Sequence, residues 1–306
     1  MTATVPQRYV PARKPTWASR RRAKSHTLNR SFGGDLGVYL FLAIVGLFMA
    51  LPLVYTVVHA FKPFEELWIF PPRFIRVDNP TIRNFSELFR ILTLSEIPFS
   101  RYLFNTAFVS VVGTFGHIVV SSMAAYMFAK HRFFGSVVMF RAIVTALMFI
   151  AAVTAIPNFM ILSFIGFVDT YLALIIPAFG VPLGLYLMKQ FIEQMIDDAL
   201  LEAARIDGAN EWYIYRRIVM PIVKPAWLTL MILSFNGLWN IGGTALIQSE
   251  ALKTLNFAMG QIMAGGIARA GVGAAAAVVM LIVPLIAFIL AQSNIVQTMG
   301  SSGMKG

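Results

Sequence analysis

Glu202-Ala-Ala-Arg-Ile-Asp-Gly-Ala-Asn-Glu-Trp-Tyr-Ile-Tyr-Arg-Arg-Ile-Val-Met-Pro-Ile-Val-Lys-Pro225 is the only long polar interval in the second half of an otherwise apolar chain. We predict that it forms two short helices joined by an elbow. The first is expected over about 196–206, with acidic residues in its opening turn, where the helix dipole favours negative charge. Gly208 suits the C-terminal cap of this helix, because glycine takes a positive φ without steric cost.

The second helix of this stretch is expected to begin at Asn210, which suits an N-cap, and to stop at Pro221, which lacks an N–H. A short helix that ends in a sharp turn projects from a membrane as a compact knob. Ala203 and Ala204 keep one face small, so a partner could approach the backbone there, and Glu202 offers a charge for pairing. An amphipathic helix lying in the membrane interface is the alternative interpretation.

The composition is that of a membrane protein. The chain has 306 residues, of which 58% are hydrophobic and 13% charged, with a mean hydropathy of +0.72, whereas soluble domains carry roughly 25% charged residues. We therefore predict an all-α membrane protein with about six transmembrane helices of roughly 20 residues each. Cysteine is absent, which excludes disulfides and thiolate chemistry.

The six membrane spans are expected at about 36–61, 101–129, 137–164, 171–191, 226–247 and 272–291. We divide the chain into a basic cytoplasmic N-terminal tail (1–35), a transmembrane domain (36–295) and a cytoplasmic C-terminal tail (296–306). Within the domain, 62–100 and 248–270 are predicted to be outside loops and 192–225 a cytoplasmic loop. An even number of spans places both termini on one side, and the basic residues mark that side as the cytoplasm.

The formal net charge of +11 is concentrated in the N-terminal tail and the short loops. This distribution favours a topological role over nucleic-acid binding, and no nucleic-acid partner is expected. A signal peptide is not predicted, because no small-residue cleavage site follows the first apolar run. The tail is interpreted as a positive-inside determinant; attraction to anionic membrane lipid, worth about 1 kcal/mol per basic residue, is the alternative.

Sites for chemistry are missing from the sequence. No G-x-x-x-x-G-K-[ST] loop occurs, and the four histidines lack metal-ligand spacing. We therefore predict no catalytic residue, no metal site and no cofactor bound by this chain. No convincing carboxylate lies near mid-membrane, where ion-coupled carriers usually need one, so the energy for transport must come from elsewhere. His117 lies mid-span, as either a packing residue or a proton relay.

Four side chains are candidates for lining a solute path. Asn236 and Asn240 lie four residues apart and therefore share one face of the fifth span. An amide in hydrocarbon must find a partner, and either another helix or a watery path could supply it. The complete candidate set is Asn158, Asn236, Trp239 and Asn240.

The polar stretch resembles the EAA loop of the carbohydrate permeases of ABC importers, the maltose-type, binding-protein-dependent family. Met220 replaces the usual leucine, whereas Pro225 and the run 207–209 fit the carbohydrate version. The C-terminal residues Gln292, Gly300, Gly303 and Lys305 resemble that family's closing tail, and the resemblance covers about 36–306. The positions that match the loop are Glu202, Ala203, Ala204, Gly208, Ile218 and Pro221.

The resemblance implies the architecture of a type I importer permease and a role as its non-catalytic subunit in the bacterial cytoplasmic membrane. It implies an oligosaccharide or related substrate, a second homologous permease, two cytoplasmic ATPase subunits that bind ATP and Mg, and an extracytoplasmic solute-binding protein. Gly303 and Lys305 are expected to contact the ATPases. The loop residues implied to couple to them are Glu202, Ala203, Ala204, Asp207, Gly208 and Pro221.

Three other interpretations of the sequence stay open at this point. The first is a secondary, ion-coupled carrier; the second is a membrane-embedded enzyme, for which the sequence offers no catalytic constellation. The third is a structural subunit with no solute path of its own. The sequence names neither the sugar nor the subunit that holds it, and it leaves open whether the two permeases are identical.

Overall fold

A computed structural model describes residues 32–94, 97–242, 245–264 and 266–302. Every regular element in these ranges is helical. The chain divides into two units, 1–54 and 55–306. The α-helices are α1 (Phe32–Ala60), α2 (Phe64–Leu67), α3 (Arg83–Leu94), α4 (Phe99–Lys130), α5 (Ser136–Ala146), α6 (Ala151–Phe164), α7 (Leu172–Phe179), α8 (Pro182–Met195), α9 (Asp198–Ile206), α10 (Glu211–Tyr213), α11 (Met220–Ile222), α12 (Lys224–Trp239), α13 (Leu255–Met263) and α14 (Ala270–Ser302).

The membrane-spanning helices agree with the predicted fold class. Within the described ranges, four helical segments are long and apolar enough to cross a membrane: most of α1, all of α4, the combined α7 and α8, and the first part of α14. Two further pairs of helices, α5 with α6 and the stretch Glu211–Ile222 with α12, are each apolar enough together but bent. Counting each bent pair as one span gives six, the predicted number.

The third predicted span departs from a single straight helix. Two helices, α5 and α6, replace the continuous helix expected over 137–164 and meet at 115°. The chain leaves helical geometry just before α6, where Ile150 is extended with ψ 150°. Pro157, the proline in this span, lies inside α6 and does not interrupt it, because one missing N–H can be tolerated where neighbouring groups satisfy the freed carbonyl.

Three other predicted boundaries move. The fourth span is interrupted at Gly180–Val181 and then continues as α8 to Met195. The fifth span ends at Trp239 rather than near 247. The last helix continues to Ser302, well beyond the predicted end at 291.

Helix α4 is the centre of the second unit, where it packs against α7, α8 and α12. Glycine at position 184 allows the closest approach to α8, since a Cβ there would lie 2.3 Å from His117 Nε2. His117 Nδ1 lies 3.0 Å from Ser234 Oγ, and its Nε2 lies 3.2 Å from the Val181 carbonyl oxygen. Because both ring nitrogens have partners on neighbouring helices, the contacts favour a packing role for His117.

The two ends of α4 define two opposite faces of the protein. At its start, Tyr102 donates to Glu250 at 2.8 Å, and Asn105 donates to the Ala251 carbonyl at 2.9 Å. At its end, Lys130 contacts Asp198 on α9 at 2.6 Å. At 1.5 Å per helical residue, these contacts lie about 40 Å apart along the axis of α4. The polar stretch and the loop around residue 250 therefore contact opposite ends of α4.

Candidate functional site: a projecting knob and an amide groove

The first helix of the polar stretch, α9, begins with a side-chain cap. The Asp197 carboxylate accepts a hydrogen bond from the Ala199 backbone N–H at 3.2 Å, so the helix starts at Asp198 rather than at the predicted 196. Leu201 is buried in the core beneath it. One face of α9 is therefore anchored, and the opposite face projects outward.

The elbow after α9 is a Schellman motif. Gly208 has a φ of +86°, as predicted for the C-terminal cap. Its N–H donates to the Arg205 carbonyl, and the Ala209 N–H donates to the Ala204 carbonyl, both at 3.0 Å. These are the two bonds that define the motif. The predicted N-cap at Asn210 is also confirmed, because its side chain accepts from the Tyr213 N–H at 2.8 Å.

The prediction for Pro221 is wrong in detail. After α10 the chain forms a π-helix over Ile214–Val219 and then α11, which contains Pro221 and ends at Ile222. The bend comes next, with 79° between Glu211–Ile222 and α12. Because the proline is near the start of α11, where an N–H has no partner in the same turn, it is tolerated there.

Lys130 anchors the knob, which we define as residues 197–213, to the central helix α4. Its side chain is 6% exposed, and its ammonium donates to the Ile196 carbonyl at 2.7 Å and to Asp198 at 2.6 Å. The ammonium holds the pKa of the Asp198 carboxyl below its usual value. A buried cation on α4 therefore fixes the position at which α9 begins.

Glu211 closes the knob from the other side of the elbow. Its carboxylate accepts from Arg205 at 2.7 Å and from the Tyr126 hydroxyl at 2.6 Å. The bond to Glu211 raises the pKa of the Arg205 guanidinium. The knob is thus tied to α4 at two points, so a force on it would be transmitted to the central helix.

Five of the six predicted coupling residues lie on the knob, and the sixth, Pro221, lies beyond it on α11. Glu202, Ala203, Asp207, Gly208 and Pro221 are exposed, and Ala204 is half-buried. A cleft of about 450 Å³ follows the elbow and is lined by Ala204, Asp207, Gly208, Ala209, Asn210, Tyr213 and Ile218.

Sequence reasoning missed an apolar residue at the tip of the knob. Ile206 is 85% exposed, and Trp212 and Tyr213 are more than half exposed close by in the chain. Exposed apolar side chains next to a cleft are typical of a protein-binding surface. The signal was present in the sequence, since Ile206 is an apolar residue between Arg205 and Asp207, two positions before the glycine of the elbow.

Sequence reasoning also missed the two anchors. Neither Lys130 nor Glu211 stands out in the sequence as an anchor. Their partners are 66 to 85 residues away in the chain, so no local pattern could have identified them.

A second candidate site is a groove of about 340 Å³ between α12, α13 and α14. Asn240 donates from its side chain to Asn236 Oδ1 at 2.7 Å. Asn256, at the start of α13, donates to the Asn240 backbone carbonyl. The other lining residues are methionine, alanine, leucine and proline, so the groove presents three amides on an otherwise apolar wall.

The other predicted path residues are placed elsewhere. Trp239 is 2% exposed and donates from its indole N–H to the Met280 carbonyl at 3.2 Å, so its packing on α14 corrects the expectation that it lines a path. Asn158 lies on α6, half-buried, and is not among the residues that line the groove. Gly303 and Lys305 lie outside the described residues, as does the basic tail 1–31.

Comparison with known proteins assigns the family. Residues 117–300 match the model of the binding-protein-dependent transport system inner membrane component. A probable ABC transporter permease protein of Sinorhizobium fredii, y4oR, is 32% identical over 86% of this chain and 93% of its own length. A polygalacturonan/rhamnogalacturonan transport system permease protein of Bacillus subtilis, YtcP, is 30% identical over 72% of this chain and 73% of its own length.

The fold is also similar to that of a solved structure. A chain in the crystal structure of a bacterial ABC transporter involved in the import of the acidic polysaccharide alginate superimposes with a TM-score of 0.72 at 21% sequence identity. The similarity covers 87% of this chain and 99% of that one. The protein therefore belongs to the inner membrane components of binding-protein-dependent transport systems, and it is an ABC transporter permease.

Proposed function

We propose that this permease carries an oligosaccharide or related carbohydrate into the cell and is driven through its knob by cytoplasmic ATPase subunits. The observation that carries the proposal is the double attachment of the knob to α4, through Lys130 and through Glu211. The carbohydrate class is supported by the polygalacturonan/rhamnogalacturonan permease among its relatives.

The proposed partners are two ATPase subunits, a second homologous permease and an extracytoplasmic solute-binding protein. ATP and Mg bind to the ATPases, and this chain binds neither. Both termini then lie in the cytoplasm, on the same side as the knob. The exposed face around Ala203 and Ile206 supports the ATPase contact. Its side chains are small or apolar, which suits docking into a groove on an ATPase subunit.

Coupling follows from the way in which the knob continues into the membrane. Helix α8 leads into the knob through Ile196, and the bent stretch Glu211–Ile222 leads out of it into α12. Movement of the knob toward closing ATPases would therefore tilt α8, α12 and α4 together. ATP can drive this change only by binding one conformation of the transporter better than the other.

The amide groove is the proposed solute path of this subunit. Asn236 faces it from α12, Asn240 from the position directly after α12, and Asn256 from α13. Amide side chains both donate and accept hydrogen bonds, and they can therefore exchange partners with the hydroxyls of a passing sugar. The methionines beside them are flexible apolar groups that can adapt to the faces of sugar rings.

Crosslinking combined with uptake tests this function. Because the chain has no cysteine, Ala203→Cys gives a unique crosslinking site in this subunit. In the assembled transporter we expect this site to crosslink to an ATPase subunit, and we expect uptake to stop when ATP is depleted. Failure to crosslink, or uptake that survives ATP depletion but collapses with an uncoupler, would contradict the proposal and favour a secondary carrier.

A further inference from the structure

A short folded cap, residues 62–82, follows the first membrane helix. It is fixed to the end of α1 by the Asn84 side chain, which donates to the carbonyl oxygens of Ala60 at 2.9 Å and Lys62 at 2.8 Å. The Thr81 N–H donates to the Phe61 carbonyl at 2.9 Å. Both ends of the cap are therefore held at the C-terminal end of α1.

The interior of the cap is polar and tightly bonded. Lys62, only 2% exposed, donates from its ammonium to the Arg73 carbonyl. The Glu66 carboxylate accepts from the backbone N–H groups of Asp78 at 3.1 Å and Asn79 at 2.8 Å. The charged side chains of Lys62 and Glu66 therefore occupy the interior of the cap, and several of its apolar side chains lie on its surface.

The outer surface of the cap is strongly apolar. Phe70 is 92% exposed, and the apolar side chains of Trp68, Phe74 and Ile75 are each more than half exposed. Isolated exposed apolar residues are ordinary, but several within eight residues of one segment indicate a surface that something covers.

The depth of this surface in the membrane follows from its contact with α1. The ring of Phe74 lies 6.1 Å from the ring of Tyr55. Helix α1 has 29 residues and is about 43 Å long, against a hydrocarbon thickness of about 30 Å. Centred in the bilayer, it leaves the hydrocarbon about four residues before Ala60, close to Tyr55, so Phe74 lies at the hydrocarbon edge.

The charges of this surface suit the same location. The two basic side chains beside the aromatic residues, Arg73 and Arg76, both pair with Asp78, the second at 2.8 Å. Paired charges cost less to bring into the headgroup region than free ones. Tryptophan is enriched at this level in membrane proteins because its ring is apolar and its N–H is polar.

We propose that the cap is a membrane-interface anchor, whose exposed surface from Trp68 to Ile75 lies in the headgroup region of the leaflet opposite the knob. The partner it fits is the lipid bilayer itself. The anchor holds the end of α1 at a fixed depth, while the remaining helices can tilt. This role does not depend on the identity of the solute.

Spin labelling of the assembled transporter in bilayers tests this proposal. Phe70→Cys provides a single site in this chain, Phe48→Cys provides a hydrocarbon reference within α1, and Asn79→Cys provides a matched polar position in the cap. We expect oxygen to relax the Phe70 label more strongly than a water-soluble nickel complex does, as at Phe48. The reverse order is expected at Asn79.

Two outcomes would overturn the anchor. A Phe70 label relaxed mainly by the nickel complex would place the surface in water, and a label shielded from both reagents would show that a protein subunit covers it. A second measurement leaves Phe70 unchanged: lipids brominated near the headgroup should quench Trp68 fluorescence, isolated by its difference from Trp68→Tyr. Absence of this quenching would also overturn the proposal.

Discussion

Gly208 has a backbone conformation that other residues adopt only with strain. Its φ is +86°, and a Cβ built there meets nothing within 4 Å. Any cost of substitution at this position therefore comes from the backbone and not from crowding. The elbow of the knob thus depends on one residue type for a purely conformational reason.

For Gly208→Val we expect a loss of more than about 1–2 kcal/mol of stability, the usual left-handed penalty, because the side chain is also branched. Gly208→Asn should cost less, since asparagine tolerates this region. Thermal unfolding of the purified transporter and uptake would measure both variants. Gly237→Ala, another uncrowded glycine but inside α12, is the control; equal losses for Val and Asn would contradict this account.

Asp169 holds the loop between α6 and α7 against the segment around residue 248. One carboxylate oxygen accepts from the backbone N–H groups of Gln248 at 3.0 Å and Ser249 at 2.8 Å, and the other accepts from the Ser249 hydroxyl. The hydrogen bond from the Ser249 hydroxyl contributes most to lowering the pKa of Asp169, and the bonds from the two backbone amides add to it. Its own φ of 61° is one that aspartate and asparagine tolerate.

The lowered pKa predicts a specific pH dependence. A carboxyl whose pKa is lower in the folded state stabilises the fold at pH values above its unfolded pKa, near 3.8. That contribution is lost as the pH falls through the folded pKa. Asp169→Asn should therefore flatten the decline of Tm on acidification below about pH 5, while it lowers Tm at neutral pH. A decline as steep as in the unchanged protein would contradict this role.

At the level of elements, the contact between α4 and α9 couples the membrane helices to the knob. Lys130 is at the last position of α4, where its charge also complements the helix dipole. It satisfies the Ile196 carbonyl between α8 and α9. Without the ammonium, this carbonyl would lose its partner.

Lys130→Met keeps the length of the side chain but removes the bond to the Ile196 carbonyl, and we expect a cost of about 1–3 kcal/mol for the unsatisfied group. Uptake should fall further than stability does, because the knob is no longer fixed to α4. The control is Arg90→Met, which removes the exposed pair with Glu87 and should change stability little, because solvent screens such pairs. Unchanged uptake in Lys130→Met would refute the coupling role.

The unit formed by residues 55–306 has two faces, one carrying the knob and the other carrying the cap and the loop around residue 250. Their contacts with α4 lie about 40 Å apart along its axis. This distance exceeds the hydrocarbon thickness of about 30 Å, so both faces lie in the aqueous or headgroup regions. Conformational coupling between them must pass along the helices.

Labelling of intact cells with a membrane-impermeant maleimide tests this arrangement. Asn79→Cys should react without permeabilisation, and Ile206→Cys should react only after it, because the two positions lie on opposite faces. The unchanged chain is the control, since it has no cysteine to react. Reaction of both positions from outside would show that the assignment of sides is wrong.

The sequence by itself determined the features that depend on local chemistry. The apolar runs, the Gly208 elbow and the Asn210 cap could be read directly, because helix length, a left-handed cap and an N-cap each depend on residues close together in the chain. The spacing of the loop also identified the family correctly.

Only the tertiary structure decided what distant residues do together. The anchoring of the knob by Lys130 and Glu211, the burial of Trp239 against α14 and the meeting of Asn240 with Asn256 all require helices to be packed. The bend of 115° between α5 and α6 likewise escaped the sequence, because the proline in that span is not where the helix breaks. Local patterns specify elements, whereas packing specifies which of their side chains meet.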